Sequence, residues 1–486
     1  MAMLNALSAI SVSAPKGLWE WLLLKVMDFV GNYGWRIIFF TVILKVLLSP
    51  LDFYQRYKMR QNQKISERIK PEMDKLKKQY ANDPKTLQAK QMEVNKREGF
   101  SYFSACIPMI LTLVIFITLF NGLRDISKYM EFKQYLGMYE IYSTEIQELT
   151  HIDKITGEKL DGWEDYSSDT LDGILRNKYT QLSAQQNLSA EDQALLVYLK
   201  DLKDNSMSFK TFIENRDLAV QTRASLLLEK SAFEESHNMA ALTPDETTEY
   251  YSLVTQITEI TVKLDYYTVG IEKLMEVAGN NAQNEVVEYY KENQEGFLWI
   301  KSLWVPEVAH KDALPSYKTF KSNVGGYGSS KNAGKIPENI LNDAMNSTTY
   351  NNITAGIRQN KDLYKNNGLY IFVVLTVVLG FLSQFLSSSQ QKKASGGNDQ
   401  MMSSMKMMMV IMPIMFGFFA LQYTAAFTIY MVTNSLVSIL LNLASSGVLT
   451  VVDKLKSNKE EEIIVQHGRR DPREITAQIN SKKNKK

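Results

Sequence analysis

The chain has 486 residues, of which 45% are apolar, and its 55 basic and 53 acidic side chains nearly cancel. Its single cysteine, Cys106, excludes a disulfide scaffold and any multi-cysteine metal site, and its four histidines are too scattered to form a ligand cluster. Three uncharged runs of 25, 26 and 46 residues (99–123, 366–391 and 407–452) exclude a purely soluble protein, because about 20 apolar residues already cross a bilayer as a helix.

The first predicted element is a short amphipathic helix. In PKGLWEWLLLKVMDFV (15–30), Leu18, Trp21, Leu22 and Lys25 recur at helical spacing, and tryptophan is typical of the headgroup interface. We therefore expect residues 1–30 to form an extracytoplasmic N-terminus with a helix lying on the membrane surface. The alternative is that this helix only extends the first span.

The first span, over 31–51, carries a polar stripe. Thr41, Lys45, Ser49 and Asp52 fall at i, i+4, i+8 and i+11, which is one face of one helix. A charge inside a span costs about 2.5–3.5 kcal/mol on insertion scales, so its default interpretation is functional. A lysine that merely snorkels to the inner headgroups is the alternative, but such a lysine does not need three polar neighbours on its own face.

Residues 52–100 are predicted to form a polar helical hairpin. Residues 53–98 contain no glycine, helix-forming residues dominate, and Asn82-Asp83-Pro84 predicts a turn with proline at the start of the second helix. The hairpin is either a solvated connector or a docking surface for an acidic partner or anionic headgroups.

The remaining spans follow from the uncharged runs. Spans are predicted over 101–123 and 366–388, but the run 407–452 would reach about 69 Å as one helix, against a bilayer core of about 30 Å. A break at Gln422-Tyr423-Thr424 divides it into spans over 405–421 and 424–450.

The last span repeats the polar pattern. Thr428 lies on a stripe of hydroxyl and amide side chains, with Tyr430 and Asn434 beside it. Serine and threonine also serve as small packing residues, so this stripe alone is a weak signal. Two striped helices together suggest a shared polar cavity, which with its lysine would attract acidic or polar peptide or an anion.

Charge sets the expected orientation. Residues 52–98 carry 13 basic and 7 acidic side chains and residues 453–486 carry 10 and 6, whereas residues 124–365 carry 25 and 37. Lys and Arg are enriched on the cytoplasmic side, so the two basic regions are expected inside and the acidic region outside. Five spans then place the N-terminus outside and the C-terminus in the cytoplasm.

The sequence therefore predicts an all-α membrane protein with five transmembrane helices, a cytoplasmic helical hairpin and a large, mostly helical extracytoplasmic insert. Apart from the hairpin, the segments outside the spans are the insert at 124–365, a cytoplasmic loop at 389–404 and a basic cytoplasmic tail at 451–486.

Several stretches resemble the YidC/Oxa/Alb family of membrane protein insertases, of the Gram-positive type with five core spans. NYGWRIIFFTVILKVLLSPLDFYQ is similar to the family's first core span, in which a basic residue is followed by Pro-Leu; in this chain these are Lys45 and Pro50-Leu51. The hairpin with the Cys-x-Pro opening of the next span (Cys106, Pro108), FLWIKSLWVPE (297–307) and MKMMMVIMPIMFGFFALQYTAAFTIYMVTNSLVS also resemble family segments, in family order.

The resemblance implies a non-enzymatic insertase of the bacterial cell membrane, with no catalytic residue, no metal and no cofactor. Its hydrophilic groove would be open to cytoplasm and lipid, and its candidate groove residues are Lys45, Thr41, Ser49, Thr428, Tyr430 and Asn434. The implied partners are nascent membrane proteins, the lipid bilayer and the Sec translocon, with the ribosome and signal recognition particle met by the hairpin and tail. No direct DNA binding is expected.

Two departures from the family pattern stand out. Lys45 occupies the place of the usual arginine and offers a point charge without a planar fork. The external segment between the second and third spans is greatly enlarged, and its role cannot be carried over from relatives. The alternative function is a small-ion or small-solute channel or transporter using the same polar cavity, although no internal repeat typical of transporters is found.

Overall fold

The computed structural model describes residues 12–100, 103–152, 171–324, 326, 336–394 and 399–466. None of these residues lies in a strand, and the only β-type pairing among them is an isolated bridge between Phe297 and Ile300. The prediction of an all-α protein is therefore confirmed. The first eleven residues, the first two residues of the second predicted span and the basic tail beyond Gln466 lie outside the described part of the chain.

The helices follow one another along the chain with few long connections. They are α1 (Leu18–Trp21, continued by a π-helical turn at Leu22–Val26), α2 (Tyr33–Gln79), α3 (Pro84–Arg97), α4 (Phe103–Thr150), α5 (Leu171–Ser183), α6 (Ala190–Asp204), α7 (Phe209–Ser236), α8 (Pro244–Glu292), α9 (Tyr317–Val324), α10 (Glu338–Ala344), α11 (Ser347–Gln359), α12 (Lys361–Tyr364), α13 (Ile371–Ala394), α14 (Asp399–Gln422) and α15 (Ala425–Gln466).

Helix α2 is continuous over 47 residues although it contains two prolines. It begins where the Asn32 side chain accepts a hydrogen bond from the Gly34 amide at 2.9 Å. Pro50 has no N–H, so the carbonyl of Val46 loses its intrahelical donor. The Ser49 hydroxyl donates to that carbonyl over 2.7 Å, which keeps it hydrogen-bonded.

The second half of α2 and helix α3 form the predicted hairpin. Asp83 caps α3 by accepting from the amide of Thr86, and Pro84 occupies the first turn, as the Asn-Asp-Pro sequence predicts. The two helices are joined by ion pairs of 2.6 Å between Arg97 and Glu72 and 2.8 Å between Arg68 and Glu98. A small apolar core lies beneath these ion pairs: Ile69, Met73 and Val94.

The chain divides into two compact units. The core unit comprises residues 14–127, 295–313 and 365–486. The insert unit comprises residues 1–13, 128–294 and 314–364, so it is built from separate stretches of sequence.

Within the core unit, α2 packs against α13 and α15, and α13 packs against α14 and α15. Gly417 of α14 faces Val377 of α13 so closely that a Cβ at this glycine would lie 2.4 Å from the valine side chain, which is the small-residue packing common between membrane helices. Helices α14 and α15 are separated only by Tyr423 and Thr424, which lie within the tripeptide where the sequence predicts the break.

Two described helices are long and apolar enough to cross a membrane: Tyr33–Gln79 and the Ala425–Val448 part of α15. Shorter apolar helices cover Ile371–Leu386 and Val410–Gln422. Large apolar side chains on these helices are exposed, with Leu47 71% and Leu440 65% accessible. Such an apolar surface suits lipid better than water.

The insert unit has an aromatic core. Phe320 and Tyr350 stack with ring centroids 4.8 Å apart, and Tyr135 lies against both rings. The buried hydroxyls have partners, since Tyr135 donates to the carbonyl of Ala344 at 2.5 Å and Tyr350 to that of Pro315 at 2.8 Å.

Helices α7 and α8 pack along each other as an antiparallel pair in this unit. Helix α8 begins with a capping box, in which Thr243 and Glu246 satisfy each other's backbone amides.

Candidate functional site

The part of the stripe from Thr41 to Ser49 contains one charge, Lys45, and two hydroxyls that donate hydrogen bonds within their own helix. The Thr41 side chain is fully buried and donates to the carbonyl of Ile37 at 2.6 Å, and Ser49 donates to Val46. Lys45, between them, is half-buried. Each of these hydroxyls already donates to its own helix. Lys45 is the charged side chain between them.

The charged groups that act electrostatically on Lys45 are Asp52 and Arg56. They lie seven and eleven residues further along α2, on the same face of the helix. The stripe therefore continues beyond Lys45 with the negative side chain of Asp52 and the positive side chain of Arg56.

The candidate residues on α15 lie on a helix that packs directly against α2. Thr428 is fully buried and donates to the carbonyl of Ala425 at 2.8 Å, Tyr430 is buried and Asn434 is half-buried. The six candidate residues thus lie on two contacting helices, and the hydrogen bonds recorded for Thr41, Ser49 and Thr428 all run within their own helix.

Sequence reasoning missed a contact between these two helices further along α2. The guanidinium of Arg60 donates to the carbonyl of Ser446 at 3.2 Å and lies 3.5 Å from the Thr450 hydroxyl. The signal was available, because Arg56 and Arg60 continue the i, i+4 stripe that begins at Thr41.

A second missed feature is the polar network at the start of α13. Glu307 is completely buried, and its carboxylate accepts hydrogen bonds from the amides of Phe372 (2.8 Å) and Ile371 (2.9 Å) and from the indole N–H of Trp299 (2.8 Å). The sequence showed an acid directly after Pro306 in an apolar stretch, but its amide partners are more than 60 residues away and local patterning does not identify them.

The first part of α4 also contributes to the core unit. Phe120 packs edge-on against Tyr423 at 4.5 Å and against Phe427 at 5.2 Å. The hydroxyls of Ser127 and Thr424 are 3.3 Å apart. Residues 120–127 of α4 therefore meet the turn between α14 and α15.

These observations define a class of protein: an all-helical chain with long apolar helices, apolar exposed faces and a lysine within one of those helices is an α-helical integral membrane protein. A family model described as "60Kd inner membrane protein" matches residues 25–195 and 284–448, which is more than half of the chain. The chain therefore belongs to the YidC/Oxa/Alb family of integral cell-membrane proteins, and the resemblance read from its motifs is confirmed.

Relatives support the same membership. The chain is 34% identical over 106 residues to the membrane protein insertase YidC of Leptospira interrogans (22% of this chain, 16% of the relative) and 35% identical over 98 residues to that of Helicobacter pylori (20% and 17%). It is 33% identical over 100 residues to that of Burkholderia multivorans (21% and 17%). The matched stretches thus span about one sixth of each relative's length. No solved structure matches the chain.

Proposed function

We propose that this protein is a membrane protein insertase that inserts nascent membrane proteins and helps them fold, alone or with the Sec translocon. The observation that carries the proposal is Lys45: a half-buried lysine in an apolar helix, on the face shared with Thr41 and Ser49, in a chain of this family. Keeping a charge there is costly, so a functional role is the default explanation.

The proposed topology has five spans with the N-terminus outside and the C-terminus in the cytoplasm of a bacterial cell. Contacts within the core unit support it. The first residues of α2, α13 and α15 all contact residues 295–313, and residues 120–127 of α4 meet the turn that ends α14. Helices that begin together and alternate with helices that end there are expected of an up-and-down bundle.

In the proposed mechanism, Lys45 attracts the polar or acidic flank of an incoming span, because a charge at reduced dielectric acts several-fold more strongly than in water. Ser49 keeps an acceptor lone pair for peptide N–H groups, and those of the buried Thr41 and Thr428 would become available when α2 and α15 separate. Tyr430 and Asn434 complete the proposed polar lining of the groove. The apolar part of the substrate would then enter the lipid along the exposed faces of the helices. The polar flank of the substrate would then cross the membrane in two shorter steps, into the groove and out of it, instead of crossing the whole apolar core of the bilayer at once.

The proposed partners follow from position and charge. The hairpin of α2 and α3, together with the basic tail that ends in KKNKK, would meet the ribosome, the signal recognition particle or the translocon on the cytoplasmic side. No reaction is catalysed in this scheme, because the protein supplies a path rather than a chemical group.

The experiment is complementation of cells depleted of their own insertase with Lys45 variants. Lys45→Arg should support growth, Lys45→Ala should impair insertion of substrates with acidic translocated flanks more than neutral ones, and Lys45→Glu should be worst for the acidic ones. Lys25→Ala, an exposed lysine before the first span, is the matched control and should have no effect.

Two outcomes would contradict the proposal. Equal growth and insertion with Lys45→Ala and Lys45→Arg, regardless of substrate charge, would leave the lysine a snorkelling side chain. An ion flux in proteoliposomes whose selectivity Lys45→Glu reverses would indicate the channel alternative.

A further inference from the structure

Residues 295–313, which we call the outer segment, contact the first turn of three helices in the core unit. At α13, the buried carboxylate of Glu307 accepts from the amides of Ile371, Phe372 and Val373 at 2.9, 2.8 and 3.2 Å. These are three of the four amides that the start of a helix leaves without partners, and a negative charge there is also favoured by the helix dipole.

Backbone carbonyls of the same segment accept hydrogen bonds from the first amides of α15. The carbonyls of Val305 and Leu303 accept from the amides of Ala425 and Ala426 at 3.0 and 2.9 Å. Backbone carbonyls can only reach these amides if the segment is held in one conformation.

Asn367 holds that conformation. It is fully buried, accepts from the amide of Ser302 at 2.7 Å, and donates to the carbonyls of Ser302 and Val305 at 2.8 and 3.0 Å. Since Val305 is itself the acceptor for α15, this one side chain couples the starts of α13 and α15 through the outer segment.

The start of α2 is attached by side-chain contacts. The side-chain amide of Asn32 donates to the carbonyl of Gly296 at 2.9 Å, and the ring of Tyr33 packs edge-on against that of Trp304 with centroids 5.4 Å apart. Phe297 lies so close to Gly34 that a Cβ at this glycine would be 2.2 Å from the phenyl ring, so only glycine fits there.

The family resemblance implies a groove that is sealed on the outer side. We infer that Glu307 is the positioning residue that holds the outer segment against the starts of α2, α13 and α15, and so keeps that end of the proposed groove closed. This inference rests on the proposed function for the groove, but the closure itself is a property of the core unit. Loss of the Glu307 charge frees the first turn of α13, which loosens the outer segment and with it the starts of the other two helices.

The test uses the full chain with Cys106→Ser and Ile37→Cys. Ile37 is buried one turn from Thr41, between that residue and the start of α2, so a thiol there is shielded while the groove is closed. An impermeant maleimide added to intact cells should label this thiol about tenfold faster in Glu307→Gln. Amide exchange at Ile371–Val373, measured by mass spectrometry on the purified chain, should also rise about tenfold, the size expected for losing a helix cap.

Two further variants control the experiment. Asp312→Asn makes the same change of charge in the same segment, but Asp312 only pairs with the partly exposed Lys365 at 3.1 Å, so labelling and exchange should stay at the parent level. Trp299→Phe removes one donor to Glu307 while keeping a ring against Phe372, and a two- to fivefold increase is expected. This milder variant also serves if Glu307→Gln fails to accumulate.

Unchanged labelling and exchange in both Glu307→Gln and Trp299→Phe would overturn the inference, as would an equal increase in Asp312→Asn. Neither readout requires insertion activity. Increased labelling in a chain that fails complementation would therefore support the closure while refuting the proposed function. Normal complementation with unchanged labelling would support the proposed function while refuting the closure.

Discussion

The core unit and the insert unit are both helical, but most of the exposed large apolar side chains among the described residues lie in the core unit. In the core unit, Leu47 and Phe385 on apolar helices are 71% and 67% exposed. In the insert unit, Phe209, Ile353 and Tyr350 are at most 1% exposed and belong to one continuous core. The exposed apolar faces of the core unit suit lipid, whereas the continuous core of the insert unit is the kind that the hydrophobic effect forms in water.

Buried polar side chains satisfy backbone groups at helix ends in both units. In the core unit Glu307 accepts from the first amides of α13, and in the insert unit Tyr135 donates to the carbonyl of Ala344 at the end of α10. Tyrosine hydroxyls of the insert unit also bridge neighbouring helices, as between Tyr139 and Asp343 at 3.0 Å. In lipid every backbone group must be satisfied internally, so a buried cap is obligatory there, whereas in water it is an addition.

The largest expected effect concerns the two stretches of the insert unit. Replacing 135–294 alone by a short Gly/Ser linker should leave 314–364 without a partner, exposing Phe320, Tyr350 and Ile353 and causing degradation or aggregation. Replacing both stretches should restore a core unit that integrates into membranes, because loop closure costs little in either case. Fluorescence-detected size-exclusion chromatography of membrane extracts measures the yield, and equal yields would mean that 314–364 does not depend on 135–294.

A single substitution in the insert core should have the next largest effect. Tyr350→Ala removes a ring that contacts Tyr135 and Phe320 and should destabilise the insert unit by about 3–5 kcal/mol. Tyr350→Phe loses only the hydrogen bond to Pro315 and should cost about 1 kcal/mol, while Leu228→Ala, at a position 73% exposed, should be near neutral. Pulse proteolysis in urea gives the three free energies of unfolding; similar values for all three would refute the proposed core.

The third prediction is a pH dependence confined to the insert unit. Burial raises the pKa of Glu131 to about 8, with Asn323 donating to both of its carboxylate oxygens at 3.2 and 3.3 Å. The folded state therefore holds a proton that the unfolded state loses above its ordinary pKa of about 4.5. The contribution of Glu131 to the free energy of unfolding is therefore largest below about pH 4.5, falls between about pH 4.5 and 8, and is constant above that.

Glu131→Gln should remove this loss, which is on the order of 5 kcal/mol over that pH range. The urea midpoint of the insert unit, followed by pulse proteolysis from pH 5 to 9, measures it. Glu214→Gln, at an exposed position of α7, should keep the parent pH profile. A parent profile that is flat between pH 5 and 8 would mean that Glu131 is ionised in the folded protein.

Local signals were enough for the helical content and for two of its boundaries. Asparagine, aspartate and proline fix turns through backbone geometry, so the start of α3 at Pro84 could be read directly. The break after Gln422 follows instead from length, because the uncharged run 407–452 is too long for one span. The stripe of Thr41, Lys45 and Ser49 also follows from helical spacing alone.

Pairings between distant stretches could not be read in this way. The contact of Tyr135 with Tyr350 and the cap of Ile371 by Glu307 depend on which surfaces meet, and hydrophobic periodicity does not encode that. The family model does not help with one part of the insert unit. Residues 196–283, which include all of α7 and most of α8, fall between its two matched ranges.

The continuity of α2 has a mechanical consequence. One 47-residue helix, about 70 Å long, carries both Lys45 and the first arm of the hairpin, so a load applied to the hairpin reaches the lysine without passing through a loop. Bending concentrates where a backbone hydrogen bond is missing, which in α2 means Pro50 and Pro71. Both prolines lie on the hairpin side of Lys45, and Pro50 is the nearer one, so bending at Pro50 would change the direction of the segment that carries the lysine relative to the whole hairpin.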